Sequence, residues 1–315
     1  MSTGTLGRAK LAGFALAAAG AALFSTKAIF IKLAYLESAS AAQLLAWRMI
    51  FSLPFFLVVG AYTLKQRRAA GTPLPGWNIL WGAVLNGLIG YYIASLFDFI
   101  GLVYITAQLE RLVLFTYPIF VMILGWLFFG GRLTKEGIAG AAVTYAGLAV
   151  VFGAGVTGAG STVVAGVSFV LGSALAFAFY QLLAKRFIAA MGSTLFTAVA
   201  MSSAAFATIL HNFIVNGGIA YVSGSYLVLA AATALFATVL PSFLMNAGLA
   251  RIGPESAAMI STLSPLVTIY LAIVLLGEVF TFADAIGTVL IIGGVGLYTL
   301  FDMRTKRAPT ARNPD

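Results

Sequence analysis

Residues 107–130 read AQLERLVLFTYPIFVMILGWLFFG, and residues 254–277 read PESAAMISTLSPLVTIYLAIVLLG. Each stretch is helix-length and largely apolar, has a proline at its twelfth position, Pro118 and Pro265, and closes on a glycine, Gly130 and Gly277. A run of this length without polar/apolar alternation suits a helix crossing a hydrocarbon core roughly 30 Å thick, not a barrel strand. The match extends outward without a gap. A shift of 147 residues also superposes Gly101, Leu102, Ile105, Leu124, Thr134, Gly140 and Gly147 on Gly248, Leu249, Ile252, Leu271, Thr281, Gly287 and Gly294. A second shift, of 153, lays Gly13, Phe24, Lys32 and Ser40 on Gly166, Phe177, Lys185 and Ser193. The two offsets differ because the loop after the second run is longer than the one after the seventh. The chain reads as two five-helix halves, 1–155 and 160–303, followed by a tail over 304–315.

Composition points the same way. The 315 residues are 61% hydrophobic and hold only 18 Lys+Arg and 9 Asp+Glu, about a third of the charge of a soluble chain of this length. A soluble surface cannot be covered with so little charge, whereas hydrocarbon penalises each centred charge by roughly 2.5–3.5 kcal/mol. An all-α polytopic membrane protein of ten spans is expected, at 10–36, 41–64, 76–104, 107–130, 136–153, 162–190, 193–215, 225–250, 254–277 and 283–301. Turn-forming stretches separate them, among them the Lys65 to Pro75 segment, the Gly153 to Gly160 run and Gly253-Pro254. The first run follows Arg8 and Lys10 and contains Ala17-Ala18-Ala19, a pattern that a signal peptide would share. It continues too far beyond those alanines for an h-region and reads as a retained helix.

With no Cys and one His, the chain has no thiolate nucleophile, no disulfide framework and no Cys-ligated or multi-His metal site. No cofactor or metal is expected. The formal charge of +9 does not point to nucleic acid, because the basic residues sit in short clusters between apolar runs and not on one basic face. They read as orientation signals. With the N-terminus inside, alternate loops hold Arg8 and Lys10; Lys65, Arg67 and Arg68; Arg132 and Lys135; Lys185 and Arg186; Arg251; and Arg304, Lys306, Arg307 and Arg312. The outside loops hold none. Both termini are expected in the cytoplasm of a bacterial inner membrane. Five spans per half is an odd number, so the second half enters from the opposite side and runs inverted. Inverted repeats favour alternating access around a site near the midplane, the architecture of secondary transport. An intramembrane enzyme would need paired aspartates, a Ser–His pair at one depth or a His-rich cluster, and none of these patterns is present in the sequence.

The second copy reads Gly253-Pro254-Glu255, Pro265, Gly277-Glu278, Gly287 and Gly293-Gly294-Val295. This resembles the EamA-type half of the drug/metabolite transporter superfamily. The first copy is a degenerate version, with Ala107-Gln108 in place of Pro254-Glu255 and Gly131 in place of Glu278. Within the superfamily the chain looks most like the YddG exporters, associated with efflux of aromatic amino acids and methyl viologen. The resemblance implies a central cavity lined by helices 1–4 and 6–9, with helices 5 and 10 packed outside. It also implies an amino acid-like solute as partner, beside membrane lipid. Gly140/Gly147 and Gly287/Gly294 are independently suited to close helix packing. Small multidrug members of the superfamily couple to protons through a glutamate in their first helix; this chain has Lys27 there, so that mechanism does not transfer.

Several residues within the spans are expected to carry function. Pro118, Pro241 and Pro265 each remove a backbone hydrogen bond in helices 4, 8 and 9, giving either a static kink or a hinge. Lys27, Asp98, Glu110, Arg111 and Arg48 cluster in the first half. They read either as mutual ion pairing and snorkelling of Lys27 and Lys32, or as a zwitterion site with Arg48 or Lys27 on a carboxylate and Glu110 or Asp98 on an ammonium. Glu255 and Glu278 fall at helix ends, where a terminus or topology role is expected. From Phe187 to Ala250 there is no Asp, Glu, Lys or Arg. The second wall must then use Tyr180, Ser242, Asn246, Ser261, Ser264 and Tyr270, facing Phe24, Trp47, Asn86, Tyr91, Phe115 and Tyr117. An apolar, aromatic cavity with few polar groups suits a ring-bearing amphipathic solute. A phosphorylated sugar or nucleotide sugar would instead require several converging basic side chains. Trp77, Trp81, Tyr35 and Tyr62 fit interfacial belts, and the lone His211 reads as interfacial.

Overall fold

The computed structural model describes residues 3–37, 40–130, 133–219, 223–245, 247–248, 251–252 and 264–307, all-helical apart from turns and short links. Among these residues, seven helices are long and apolar enough to cross a membrane: Leu11–Tyr35, Ala41–Ala69, Trp77–Tyr104, Ala107–Phe129, Ser161–Met191, Ser193–Asn216 and Gly224–Met245. Two shorter apolar helices, Ser264–Leu276 and Phe282–Leu297, follow. The chain is a multi-pass membrane protein.

Two spans are broken at mid-length, each by hydroxyl groups that turn back on their own helix. The first comprises α1 (Thr3–Ser25) and α2 (Lys27–Tyr35), joined at Thr26. Ser25 Oγ donates to the Ala21 carbonyl at 2.8 Å and Thr26 Oγ1 to the Leu23 carbonyl at 2.7 Å. Such back-bonding competes with the i→i−4 ladder and bends a helix. After α3 (Ala41–Ala69), which holds an unpredicted Pro54, come α4 (Trp77–Gly87), a π-helical turn over Leu88–Ile93, and α5 (Ala94–Tyr104). The second broken span comprises α6 (Ala107–Leu114) and α7 (Tyr117–Phe129). Thr116 Oγ1 donates to the Val113 carbonyl at 2.7 Å, and Pro118 occupies the first turn of α7. The expectation of a kink at Pro118 is corrected: its missing N–H falls where a helix start has no partner for it, so it begins a helix and does not bend one.

The expected loop between runs five and six is also corrected. α8 is one continuous helix, Lys135–Met191, whose 57 residues correspond to ~85 Å. The Gly153 to Gly160 stretch holds no proline and no positive-φ glycine. Its glycines cost about 1 kcal/mol each relative to alanine without forbidding helix. Beyond α8 lie α9 (Ser193–Asn216), α10 (Gly224–Ala234) and a second π-helical turn, Leu235–Val239. The helix then continues to Met245, and α11 (Ser264–Leu276) and α12 (Phe282–Arg307) complete the described chain. Ser40, Thr106, Thr134 and Ser223 accept a backbone N–H at the starts of α3, α6, α8 and α10, and Thr281 with Asp284 makes a reciprocal cap on α12.

The repeat offsets recur in three dimensions. The two π-helical turns begin at Leu88 and Leu235, 147 residues apart. Gly101 rests against Gly166 and Val170, while Gly13 rests against Gly248 and Ile252; the two offsets carry the first contact onto the second. Gly147 lies against Gly287, and Gly294 against Gly140, so α8 and α12 approach to backbone distance as small residues allow. Glu278 accepts the N–H groups of Ala107 at 2.7 Å and Gln108 at 3.1 Å. Its carboxylate caps α6, where the helix dipole favours negative charge.

Candidate functional site

The helix breaks, the π-helical turns and α8 surround a central cavity of about 450 Å³. Phe24 and Phe115 line it at the two breaks, and Gly90, Tyr91, Ala237 and Thr238 line it at the two π-helical turns. A π-helical turn loosens the regular backbone ladder and recurs at functional sites. In the second of them Thr238 Oγ1 donates to the Thr233 carbonyl at 3.0 Å. Pro241, two residues beyond the turn, offers no N–H to the carbonyl of Ala237.

One wall is aromatic. Tyr91 and Tyr180 meet edge-to-face with ring centroids 4.9 Å apart and their hydroxyls 3.2 Å apart. Phe177 stacks on Tyr180 at 5.6 Å and meets Tyr117 edge-on at 5.1 Å. Gly90 makes room for this wall, since a Cβ there would strike the Tyr180 ring. Behind it, Asn86 Nδ2 donates to the Tyr180 carbonyl at 3.3 Å, which fixes the helix backbone and does not face the cavity.

The other end is charged. Lys27, the first residue of α2 after the break, reaches Asp98 at 2.5 Å and Glu110 at 3.7 Å. Asp98 and Glu110 are 1% and 0% exposed, so the three groups form one desolvated cluster. Arg111 Nη2 donates to the Phe24 carbonyl at 3.0 Å and its Nε to Thr268 Oγ1 at 3.1 Å. Thr268 Oγ1 in turn donates to the Ser25 carbonyl at 2.9 Å, and the Ser25 and Ser264 hydroxyls meet at 2.7 Å. The carbonyls freed where the first span breaks are thus satisfied by α6 and α11. Arg48 lies over the Phe99 ring, its guanidinium carbon 4.8 Å from the centroid.

Of the residues read from the sequence, Phe24, Lys27, Arg48, Tyr91, Phe115, Tyr117, Tyr180, Ser242 and Ser264 line the cavity. Glu110 sits behind the lining, against Lys27. Trp47 stacks on Phe51 at 5.7 Å within the core formed by α2, α3 and α5. Tyr270 is a correction: it is 64% exposed on the outer side of α11, while the buried Thr268 takes the inner side. Tyr35 also departs from its expected interfacial place, donating to the Phe99 carbonyl at 2.6 Å. His211 Nδ1 pairs with the Tyr92 hydroxyl at 2.7 Å. Pro265 is the second residue of α11. Asn246, Ser261 and Glu255 lie outside the described residues. The sequence reading missed Phe177, Thr238 and Ser95 in the lining. The repeat held the signal for each, because the offsets make them the counterparts of Phe24, Tyr91 and Ser242. Arg111, a member of the charged cluster, also lines the cavity.

Comparison with known proteins agrees with this geometry. The model of the EamA-like transporter family matches twice, over residues 11–153 and 164–300. The chain is similar to the uncharacterized transporter YcbK of Bacillus subtilis (strain 168), with 29% identity over 308 residues and 93% of each chain covered. A solved crystal structure with 21% identity covers 94% of this chain and 99% of its own, with a TM-score of 0.60, a likeness of fold alone. Two family matches that together span the broken helices, the π-helical turns and the cavity between them lead to one conclusion: the chain belongs to the EamA-like transporter family.

Proposed function

We propose that this transporter exports aromatic or neutral amino acids and related small metabolites or drugs by alternating access through the central cavity, as a YddG-like member of its family. The carrying observation is that one cavity joins an aromatic wall, Tyr91, Tyr117, Phe177 and Tyr180, to a charged end at two helix breaks. Broken helices at mid-membrane border the solute sites of secondary transporters. The chain is read as two EamA-like halves, 1–155 and 160–303, of five helical segments each, with segments 136–153 and 162–190 running on through α8. The matched π-helical turns and the reciprocal Gly101/Gly166 and Gly248/Gly13 contacts support that reading. The Lys and Arg distribution supports cytoplasmic termini in a bacterial inner membrane. The break before Pro118 and the turn before Pro241 act as hinges, with Pro265 in the first turn of α11 as a third, and the site does transport and not catalysis.

Purified protein in liposomes is expected to move radiolabelled phenylalanine or tryptophan, with competition by either aromatic amino acid and none by sugar phosphates. Absence of any aromatic flux overturns the substrate reading. The lack of native cysteine makes a second test clean. Ser95 and Ser242 are repeat counterparts and both line the cavity. Single Ser95→Cys and Ser242→Cys variants are expected to react with an impermeant maleimide from either side of the membrane, with phenylalanine slowing both reactions. Labelling from one side only, under every condition, excludes alternating access.

A further inference from the structure

The charges around the cavity do not balance. Lys27 is engaged by both buried carboxylates, Asp98 and Glu110. Arg48 and Arg111 are 4% and 8% exposed, line the same cavity, and form no ion pair among the described residues. Arg111 donates only to neutral oxygens, those of Phe24 and Thr268. Arg48 Nε has no acceptor among the described residues, and the guanidinium lies over the face of Phe99.

An arginine stays charged wherever it is buried, and a buried charge without a counter-ion is costly. Three cations therefore stand against two carboxylates at the cavity's polar end. The excess is carried by planar donors whose geometry fits a carboxylate. Resting on the reading of this cavity as the solute site, we infer that Arg48 and Arg111 form a carboxylate-binding subsite, and that the preferred solute is a ring-bearing monocarboxylate whose amino group is dispensable. Asp98 Oδ1 is unpartnered, yet it belongs to a carboxylate offset by Lys27 at 2.5 Å. An ammonium placed there would meet the charge of Lys27 itself. The arginine end thus attracts the acid, whereas Glu110, the carboxylate left over at Lys27, is fully buried behind the lining, where an amine in the cavity does not reach it.

Binding of four probes to the purified full chain, by calorimetry in detergent, tests this: 3-phenylpropionate, L-phenylalanine, phenethylamine and propionate. The expected result is that 3-phenylpropionate binds about tenfold or more tighter than phenethylamine, and that Arg48→Gln and Arg111→Gln each weaken 3-phenylpropionate about tenfold. The wild-type series decides the matter even where a variant does not fold. Phenethylamine binding as tightly as 3-phenylpropionate overturns the carboxylate subsite and leaves the aromatic reading in place. Binding of propionate as tight as that of 3-phenylpropionate overturns the aromatic reading and upholds the subsite. Binding of neither acid overturns the subsite outright.

Discussion

Replacing Lys27 with methionine is expected to destabilise the protein by about 3–5 kcal/mol, the loss that follows when one partner of a buried ion pair is removed. Its ammonium is the cation that reaches Asp98 at 2.5 Å and Glu110 at 3.7 Å. Neither oxygen of Glu110 accepts a hydrogen bond, and Asp98 has one oxygen without a donor. Without Lys27 two carboxylates that are essentially inaccessible to water are left facing one another. The double variant Lys27→Met/Asp98→Asn removes the charge that Lys27 chiefly answers and is expected to recover a large part of the loss. The coupling is read as the difference between the double variant and the sum of the singles. Thermal unfolding in detergent measures it. A single-variant loss below about 1 kcal/mol, the range of a surface pair, would show that water reaches the cluster freely.

That cluster marks where sequence reading works in a membrane protein and where it fails. Charges within spans stand out against an apolar background, so Lys27, Arg48, Asp98, Glu110 and Arg111 were all legible as a group. The glycines of α8 and α12 were legible through their seven-residue spacing and its repetition. The direction in which an apolar residue faces was not legible, because lipid is as apolar as the protein core and no amphipathic stripe separates the two. Tyr270 and Thr268 lie two residues apart on α11, one 64% exposed and the other buried, and hydropathy ranks neither side. The π-helical turns were hidden for a related reason. Leu88–Ile93 contains no proline, and its sequence, LIGYYI, reads as ordinary span. The break at Ser25 and Thr26 rests on two hydroxyl back-bonds that any membrane helix can hold. Pro118 was visible but misplaced in role, since a proline in a first turn and a proline in an interior look alike until the turn before it is seen.

The second large effect is expected at Gly287. A Cβ there would strike the Val151 side chain and lie 2.9 Å from the Gly147 carbonyl, so neither a rotamer change nor a small shift of one side chain makes room. Gly287→Val is expected to cost about 3 kcal/mol through overpacking of α8 against α12. Gly293, six residues along the same helix, has no atom within 4 Å of its would-be Cβ. Gly293→Ala is therefore expected to change stability in the opposite direction, by about 0.5–1 kcal/mol, because alanine loses less backbone entropy in a helix than glycine. Helix propensity alone would give both substitutions the same sign, so opposite shifts of the unfolding midpoint isolate the packing contribution. Gly147 supplies the other side of the contact, with the Gly287 carbonyl 2.9 Å from its own would-be Cβ. Once the Gly287→Val substitution has forced the helices apart, a valine introduced in place of Gly147 meets a gap already open. The Gly147→Val/Gly287→Val double variant is thus expected to lose less than the two singles combined; full additivity would mean that the two glycines serve separate contacts.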